Sequence, residues 1–428
     1  MIRLLVYSHD AFGLGNIRRM LAICEHLLDE MPQLSILLLS GSPMLQGFRL
    51  PKGVDYIKLP CLNRGNSGEV AVKYLGMGID ETIKLRSELI LSAAVNFQPD
   101  LFLVDKKPLG IKNELTNTVD YLHHNLPNTK LVLLLRDILN APEKTIAEWQ
   151  KYNNYKLIEK FYQLLLIVGS QSVFDFSKEY QLPVKVAEKI RFCGYIRRSQ
   201  GYQTNQAIRQ KLQLKTGDKF VLVTPGGGED GYKLVSTYLQ GQEFLQNNQQ
   251  HIKSLVFCGP EMPLEHKNEL YEMAANYPQV QIREFSNDLM SYICAADVVV
   301  SMGGYNTICE ILSAAKPAII VPRIKPSQEQ LVRSQRMHDL GLLSSIHPEH
   351  LTSQALMRQL FQVLKNPEQP KKIDLEGLPR ITHHIKNLLA DKITPAFLTN
   401  CTSIIPKPLP KLYFEGFRYR RNHNITLA

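Results

Sequence analysis

The sequence predicts an α/β protein made of two Rossmann-like, doubly wound parallel-sheet domains facing a cleft. Three observations carry that expectation. Apolar runs rich in Val, Ile and Leu alternate with longer segments of helical spacing, the pattern of a parallel sheet covered on both faces. The series restarts after "FCGYIRRSQGYQT". At 428 residues the chain is long for a single core, so two domains are expected.

In the first series "IRLLVYS", "LSILLLSG", "VDYIKLP", "DLFLVD", "KLVLLLRD" and "LLLIVGS" read as buried strands. Segments such as "IRRMLAICEHLLDEM" and "GIDETIKLRSELILSAAVNF" read as the helices between them. The second series runs "KFVLVTPGGG", "IKSLVFCGP", "VQIREFS", "DVVVSMGG", "PAIIVPR" and "LLSSIHP". The linker Tyr195–Thr204 sets the expected boundary, with a first domain over 1–196 and a second over 197–370. Residues 371–428 form a third part: "LPRITHHIKNLLADK" reads as a helix crossing back to the first domain. "IIPKPLPKLYFEGFRYRRNHN" is proline-rich, then basic, with no core-forming period. No tandem repeat appears.

Composition narrows the function classes. The apolar fraction of 44% and charged fraction of 21% are those of an ordinary globular protein. There is no run of eighteen apolar residues, so no spanning helix is expected. The opening apolar stretch is too short for a signal peptide, and a cytoplasmic location is the expectation. The seven cysteines form no C-x-x-C pair and read as small core residues, with neither disulfides nor a zinc site. The net charge is +10, but from Lys371 onward there are ten Lys and Arg against four Asp and Glu. A local basic tail of this kind argues against a nucleic-acid partner. The tail either meets anionic lipid at the inner membrane face or is simply solvated.

Three glycine turns follow expected strands, where ligands of open α/β sheets bind. In "YSHDAFGLGNIRR", Gly13 and Gly15 let the backbone approach a ligand at a helix N-terminus, or else make only a tight turn. Position 18 is Arg, so the dinucleotide fingerprint is absent. His9 and Asp10 are a candidate general-base pair. In "VTPGGGEDGYKL", Gly226, Gly227 and Gly228 imply a close backbone approach, and no Walker Lys follows. In "ADVVVSMGGYNTICEILSAAKPAIIVPRIKPSQEQ", the amides of Ser301-Met302-Gly303-Gly304 are placed to cradle a phosphate. Glu310, about two turns into the next helix, is placed to accept both ribose hydroxyls. The later loop with Gln328, Glu329 and Gln330 suits a hydroxyl-rich ligand.

That third stretch resembles the nucleotide-sugar half of GT-B glycosyltransferases, closest to family 28. The resemblance is carried by Gly303, Gly304, Thr307, Glu310, Pro322 and Gln330, with Glu329 standing where a glutamine is usual. It implies that backbone near Phe285 and Ser286, in "EFSNDLMSYICAAD", meets a uracil edge, and that Arg198 in "CGYIRR" meets the donor pyrophosphate. The start also resembles the HD-x-F-G-x-G-H-x-x-R opening of uncharacterised relatives. In the family a histidine often follows the last glycine of the first turn; here that place is Asn16. Asparagine takes no proton, so His9 or Asp10 becomes the base. Asn16 then caps the helix or bonds an acceptor oxygen, and Asp105 and Asp137, each ending an expected strand, are reserve bases.

The expected function is therefore inverting sugar transfer from a nucleotide-diphosphate sugar, a UDP-sugar by resemblance, to a hydroxyl acceptor that is a glycan or lipid-linked. The nucleotide sugar is substrate, and no cofactor is expected. No D-x-D motif occurs, so helix N-termini and Arg198 take the place of a metal. Two rivals are a UDP-sugar 2-epimerase of the same architecture and a non-catalytic nucleotide-sugar-binding subunit.

Overall fold

The computed structural model describes residues 1–9, 15–47, 50–65, 69–247, 251–366 and 371–392. Residues Met1–Leu388 form one compact unit, which contains two parallel sheets. The basic tail lies outside the described residues.

The first sheet uses β1 (Ile2–Ser8), β2 (Leu34–Ser40), β3 (Val54–Lys58), β6 (Leu101–Asp105), β7 (Lys130–Arg136), β8 (Leu164–Val168) and β9 (Ile190–Phe192). A small antiparallel hairpin of β4 (Leu62–Arg64) and β5 (Val70–Val72) stands apart. The strand order is β3-β2-β1-β6-β7-β8-β9. The second sheet uses β10 (Lys219–Thr224), β11 (Ile252–Phe257), β12 (Val280–Arg283), β13 (Val298–Ser301), β14 (Ala318–Ile320) and β15 (Ser344–Ser345), in the order β12-β11-β10-β13-β14-β15. All pairings in both sheets are parallel. Every apolar run named above forms a strand. Both faces of β6, β8 and β13 are buried, as continuous Val/Ile/Leu sequence requires. The β4–β5 hairpin and β9 are additions that the sequence pattern does not announce.

Charge is buried inside the first domain as well as at its rim. Arg86, on the helix Ile79–Phe97, donates through Nε and Nη2 to the two oxygens of Glu114 at 2.5 and 2.7 Å, and through Nη1 to the Pro60 carbonyl at 2.6 Å. The Tyr7 hydroxyl donates to the same carboxylate at 2.5 Å and accepts from the Ile111 amide at 3.1 Å. Each polar atom of this buried set is therefore met, the condition under which an interior ion pair is tolerated.

The two domains meet through β7 and the helix Glu329–Asp339. Arg333 of that helix donates to both oxygens of Asp137, just past β7, at 2.8 Å each. Asp137 also accepts from the Tyr195 hydroxyl at 2.9 Å and from the Ile138 amide at 2.8 Å. The third Arg333 donor reaches the Gly303 carbonyl at 3.0 Å. Tyr305 adds a second tie, its hydroxyl donating to the Val168 carbonyl at 3.0 Å.

The chain crosses between the domains twice, and the crossings lie side by side. Ile196 and Glu376 form an antiparallel bridge, with Tyr195 N donating to Asp374 O at 2.9 Å and Gly377 N to Tyr195 O at 3.0 Å. The helix Gly377–Leu388 then packs on the helix Gly15–Glu30 of the first domain. There the His26 and Thr382 side chains bond at 2.9 Å and Lys386 pairs with Glu30 at 3.0 Å.

Removing one partner of the Arg86–Glu114 pair leaves an uncompensated interior charge, which costs about 3–5 kcal/mol. Arg86→Ala should lower first-domain stability by that amount. Chemical denaturation followed by Trp149 fluorescence reads it directly, because Trp149 is the single tryptophan and is buried in that core. A loss below about 1 kcal/mol, the size of an exposed pair, would show that the pair is not the anchor described.

Candidate functional site

In each sheet the strand order reverses once, between β1 and β6 and between β10 and β13. Open parallel sheets bind ligands at such switch points, beyond the carboxyl ends of the strands. His9 follows β1 and Lys106 follows β6; the Gly226–Gly228 loop follows β10 and Gly303–Gly304 follows β13. The three glycine turns singled out by sequence thus lie at these switch points, and Lys106 joins them.

On the first-domain side, His9 is only 5% exposed. Its Nδ1 has no hydrogen-bond partner among the described residues. Burial, followed by the charges of Lys106, Lys107, Arg86 and Arg136, holds the ring well below the usual histidine range, so it is neutral at pH 7. Its amide donates to Asp105 at 3.3 Å and its carbonyl accepts from Asn16 Nδ2 at 2.5 Å. Asn16 is the second residue of the helix Gly15–Glu30. Its side-chain amide ties the start of this helix to the residue that follows β1. Asp10 and Gly13 lie outside the described residues.

Neither reserve base is free. Asp105 accepts from Arg19 at 2.7 Å and from the His9 amide. Asp137 carries the four hydrogen bonds of the domain junction, which fill the lone-pair sites of a carboxylate. Lys106, with φ of 72°, is a cation acting on His9 that the sequence reading overlooked. Burial and the neighbouring Arg136 guanidinium lower its pKa to about 8.

On the second-domain side the triple glycine does approach backbone, but it is protein backbone. A Cβ at Gly228, where φ is 98°, would lie 2.3 Å from the Cys258 carbonyl oxygen, and Glu261 N donates to Gly227 O at 2.8 Å. Gly228 therefore fits this loop against its neighbour. Gly226 alone of the three borders the next element, with its Cβ position 3.7 Å from Thr307 Oγ1. The Ser301 hydroxyl donates to the Thr224 carbonyl at 2.6 Å, binding the ends of β10 and β13 together. Gly303 packs against Gln330 and Ser334, and the buried Ser334 hydroxyl has no partner among the described residues. The Met302 side chain belongs to the second core; only its backbone is available to a ligand.

The helix Tyr305–Ser313 starts at Gly304 and carries Thr307 and Glu310. Glu310 is 3% exposed. Burial raises its pKa, with Arg18 and Arg198 opposing the rise. Arg198 Nη2 donates to Asn306 Oδ1 at 2.8 Å, while its buried Nε has no partner among the described residues. Asn306 Nδ2 in turn donates to the Gly15 carbonyl at 3.1 Å. A Cβ on Gly15 would lie 2.7 Å from that nitrogen, so any larger residue here would displace the Asn306 side chain.

Glu329 is buried and ringed by cations, with Arg136 at 3.0 Å, Arg323 at 3.8 Å and Arg333 at 3.9 Å. Despite burial, which acts the other way, those arginines and Lys106 keep its carboxyl below the ordinary range. Gln330 Oε1 accepts from the Arg323 amide at 3.2 Å and so pins the turn that follows β14. Ser286 Oγ accepts from the Asp288 amide at 3.1 Å, and the adjacent Phe285 ring is 57% exposed. Among the described residues no group of three or more His, Cys, Asp or Glu side chains is placed to hold a metal ion. No helix among them is long and apolar enough to cross a membrane.

The structure therefore brings Gly15 and Arg18 of one domain to Asn306 and Glu310 of the other, with Arg198 on Asn306 and Arg136 on Glu329; His9 and Asn16 are joined to each other on the first-domain side. The residues that sequence reasoning missed are mainly cations: Arg18, Lys106, Arg136 and Arg333. One of them had a signal. Arg18 stands beside Arg19 at the start of a helix, where the macrodipole disfavours positive charge.

Residues 220–385 match the glycosyltransferase family 28 C-terminal domain. The UDP-N-acetylglucosamine–N-acetylmuramyl-(pentapeptide) pyrophosphoryl-undecaprenol N-acetylglucosamine transferase of Histophilus somni is 25% identical over 175 residues, 39% of this chain and 47% of that protein. The chain spans about half the length of the curated relatives it matches. Among solved structures, Acinetobacter baumannii MurG superimposes with a TM-score of 0.57 at 14% identity, covering 91% of this chain and 100% of that one. A candidate UDP-N-acetylglucosamine 2-epimerase from Listeria monocytogenes gives a TM-score of 0.63 at 11% identity, covering 91% and 97%. The fold is that of GT-B glycosyltransferases, and residues 220–385 match the C-terminal domain of glycosyltransferase family 28.

Proposed function

We propose that the protein is an inverting, metal-independent glycosyltransferase that moves a sugar from a UDP-sugar to a hydroxyl acceptor. The observation that carries this reading is Glu310. It is a buried carboxylate two turns into a helix that starts at a glycine turn, within the stretch that matches the family 28 domain.

The chemistry follows from the charges already described. Glu310 accepts the ribose hydroxyls, and the exposed Phe285 ring and the backbone at Ser286 face the uracil. The diphosphate sits at the N-terminus of the helix Tyr305–Ser313, where free amides and Arg198 neutralise it. Glu329, held beside Gln330 by its pairing with Arg136, offers its carboxylate to a sugar hydroxyl. The acceptor lies on the first domain. Its hydroxyl gives its proton to the neutral His9 ring as its oxygen attacks the anomeric carbon. The bond from that carbon to the β-phosphate oxygen breaks, and UDP leaves with the electron pair. One displacement inverts the configuration. The leaving group is stabilised by fixed dipoles and cations, which act strongly in a closed site, so a divalent ion is not needed. The lipid-linked substrate in the names of the curated relatives supports a lipid-linked or glycan acceptor, and the basic tail suits peripheral contact with an anionic membrane.

Three measurements test this. Glu310→Ala should weaken UDP binding by about 1–3 kcal/mol, the size of a lost charge-assisted hydrogen bond, as read by calorimetric titration. Unchanged affinity in a folded variant would remove Glu310 from the site. UDP release from UDP-sugars over an acceptor panel should persist in EDTA; loss that magnesium or manganese restores would contradict the metal-free mechanism. If the sugar is instead epimerised at C2 without acceptor, the transfer reading gives way to epimerisation. His9→Ala should lower turnover about 100- to 10,000-fold, the range for a general base, with UDP affinity unchanged because His9 meets the acceptor and not the donor. Near-wild-type turnover would rule His9 out.

A further inference from the structure

The helices Gly15–Glu30 and Tyr305–Ser313 meet with matched spacing. Gly15 faces Asn306, and Arg18, about one turn further, faces Glu310, about one turn beyond Asn306. Arg18 Nη2 lies 3.5 Å from Glu310 Oε1; the arginine side chain is 47% exposed and the glutamate side chain 4%. Arg18 and Arg19 both stand where the helix dipole opposes them. Arg19 is accounted for by its buried pair with Asp105 at 2.7 Å and by the Tyr305 ring, 5.8 Å away. Among the described residues Arg18 has only a long, half-solvated contact. Such contacts contribute little to stability, so stability does not account for a cation at this place.

The contact also conflicts with the carboxylate's proposed use. If ribose hydroxyls take Glu310, the guanidinium has to leave, and it leaves into a site that has just received a diphosphate. We propose that Arg18 is a donor-binding residue supplied by the first domain: on nucleotide-sugar binding it exchanges Glu310 for the diphosphate and joins Arg198 there. The reach is adequate. Asn306 and Glu310 are four residues apart, about 6 Å along the helix, and Arg198 already bonds the Asn306 side chain at 2.8 Å. The Arg18 fork suits phosphate oxygens in a way that a point charge does not. This rests on the UDP-sugar reading above and goes beyond it. The acceptor domain would deliver one of the two cations on the leaving group, so the leaving group would be fully neutralised only with both domains in contact.

The diphosphate distinguishes UDP from uridine, and that difference is the readout. Affinities of the full chain for UDP and for uridine are measured by calorimetric titration in wild type, Arg18→Ala, Arg18→Lys and Glu310→Ala, with circular dichroism confirming the fold. Arg18→Ala should weaken UDP about tenfold or more, the scale of a charge-assisted contact, while uridine binding stays level or tightens because a competitor for Glu310 is gone. Arg18→Lys should recover part of the UDP affinity. Equal losses for UDP and uridine, or no loss for UDP, would overturn the proposal while a Glu310→Ala defect leaves the nucleotide site standing. No UDP binding by wild type, or none lost in Glu310→Ala, would overturn the UDP-sugar reading itself.

Discussion

The rest of the structure depends on the pairing of Asp137 with Arg333. Two fully buried charges are tolerated only where almost every lone pair and proton is used, and here the carboxylate takes four donors while the guanidinium also holds the Gly303 carbonyl. One ion pair thus joins the domains and fixes the turn at which the helix Tyr305–Ser313 begins. A second pair runs beside it with the signs exchanged. Arg136, the residue before Asp137, reaches Glu329, one helical turn before Arg333. Two adjacent residues of one domain are matched to two residues at i and i+4 of the other. A slip of either element would set like charge against like.

Around this lock the two faces of the junction differ in character. The first-domain face holds an uncharged imidazole among cations, with Asp105 and Asp137 already committed to arginines. The second-domain face holds buried carboxylates and, among the described residues, an unpartnered hydroxyl at the glycine turn. Tyr305 stands between them, with Arg19 at 5.8 Å and Arg333 at 5.6 Å from its ring and its hydroxyl on the Val168 carbonyl.

The sheets were legible because a strand buried on both faces has to be apolar throughout, and "DLFLVD" or "ADVVVS" has few other uses. The glycine turns were legible because missing side chains mark close approach. What the sequence does not carry is the identity of the thing approached: Gly228 meets the Cys258 carbonyl, and Gly15 meets Asn306 from the other domain. Asp105 and Asp137 were expected at strand ends facing the junction and are found there, yet their partners alter their use. Arg333 is 196 positions from Asp137, and no local pattern announces such a pairing. Met302 shows the reverse limit, since a turn residue can offer its backbone to one side and its side chain to a core. Arg18 was the exception, a charge in conflict with its own helix, and a conflict of that kind is visible in the order of the residues alone.

The paired chain crossings have a mechanical meaning. Residues 195–197 and 374–377 are hydrogen-bonded to one another between the domains, so the connection behaves as a short two-stranded strap. A single covalent thread would let one domain swing and twist freely. A double strap resists twisting and leaves one easy rotation, a bend about an axis that lies across the two crossings. Opening and closing of the cleft is thereby reduced to a door-like swing, and each return brings Gly15 back beneath Asn306 in the same alignment.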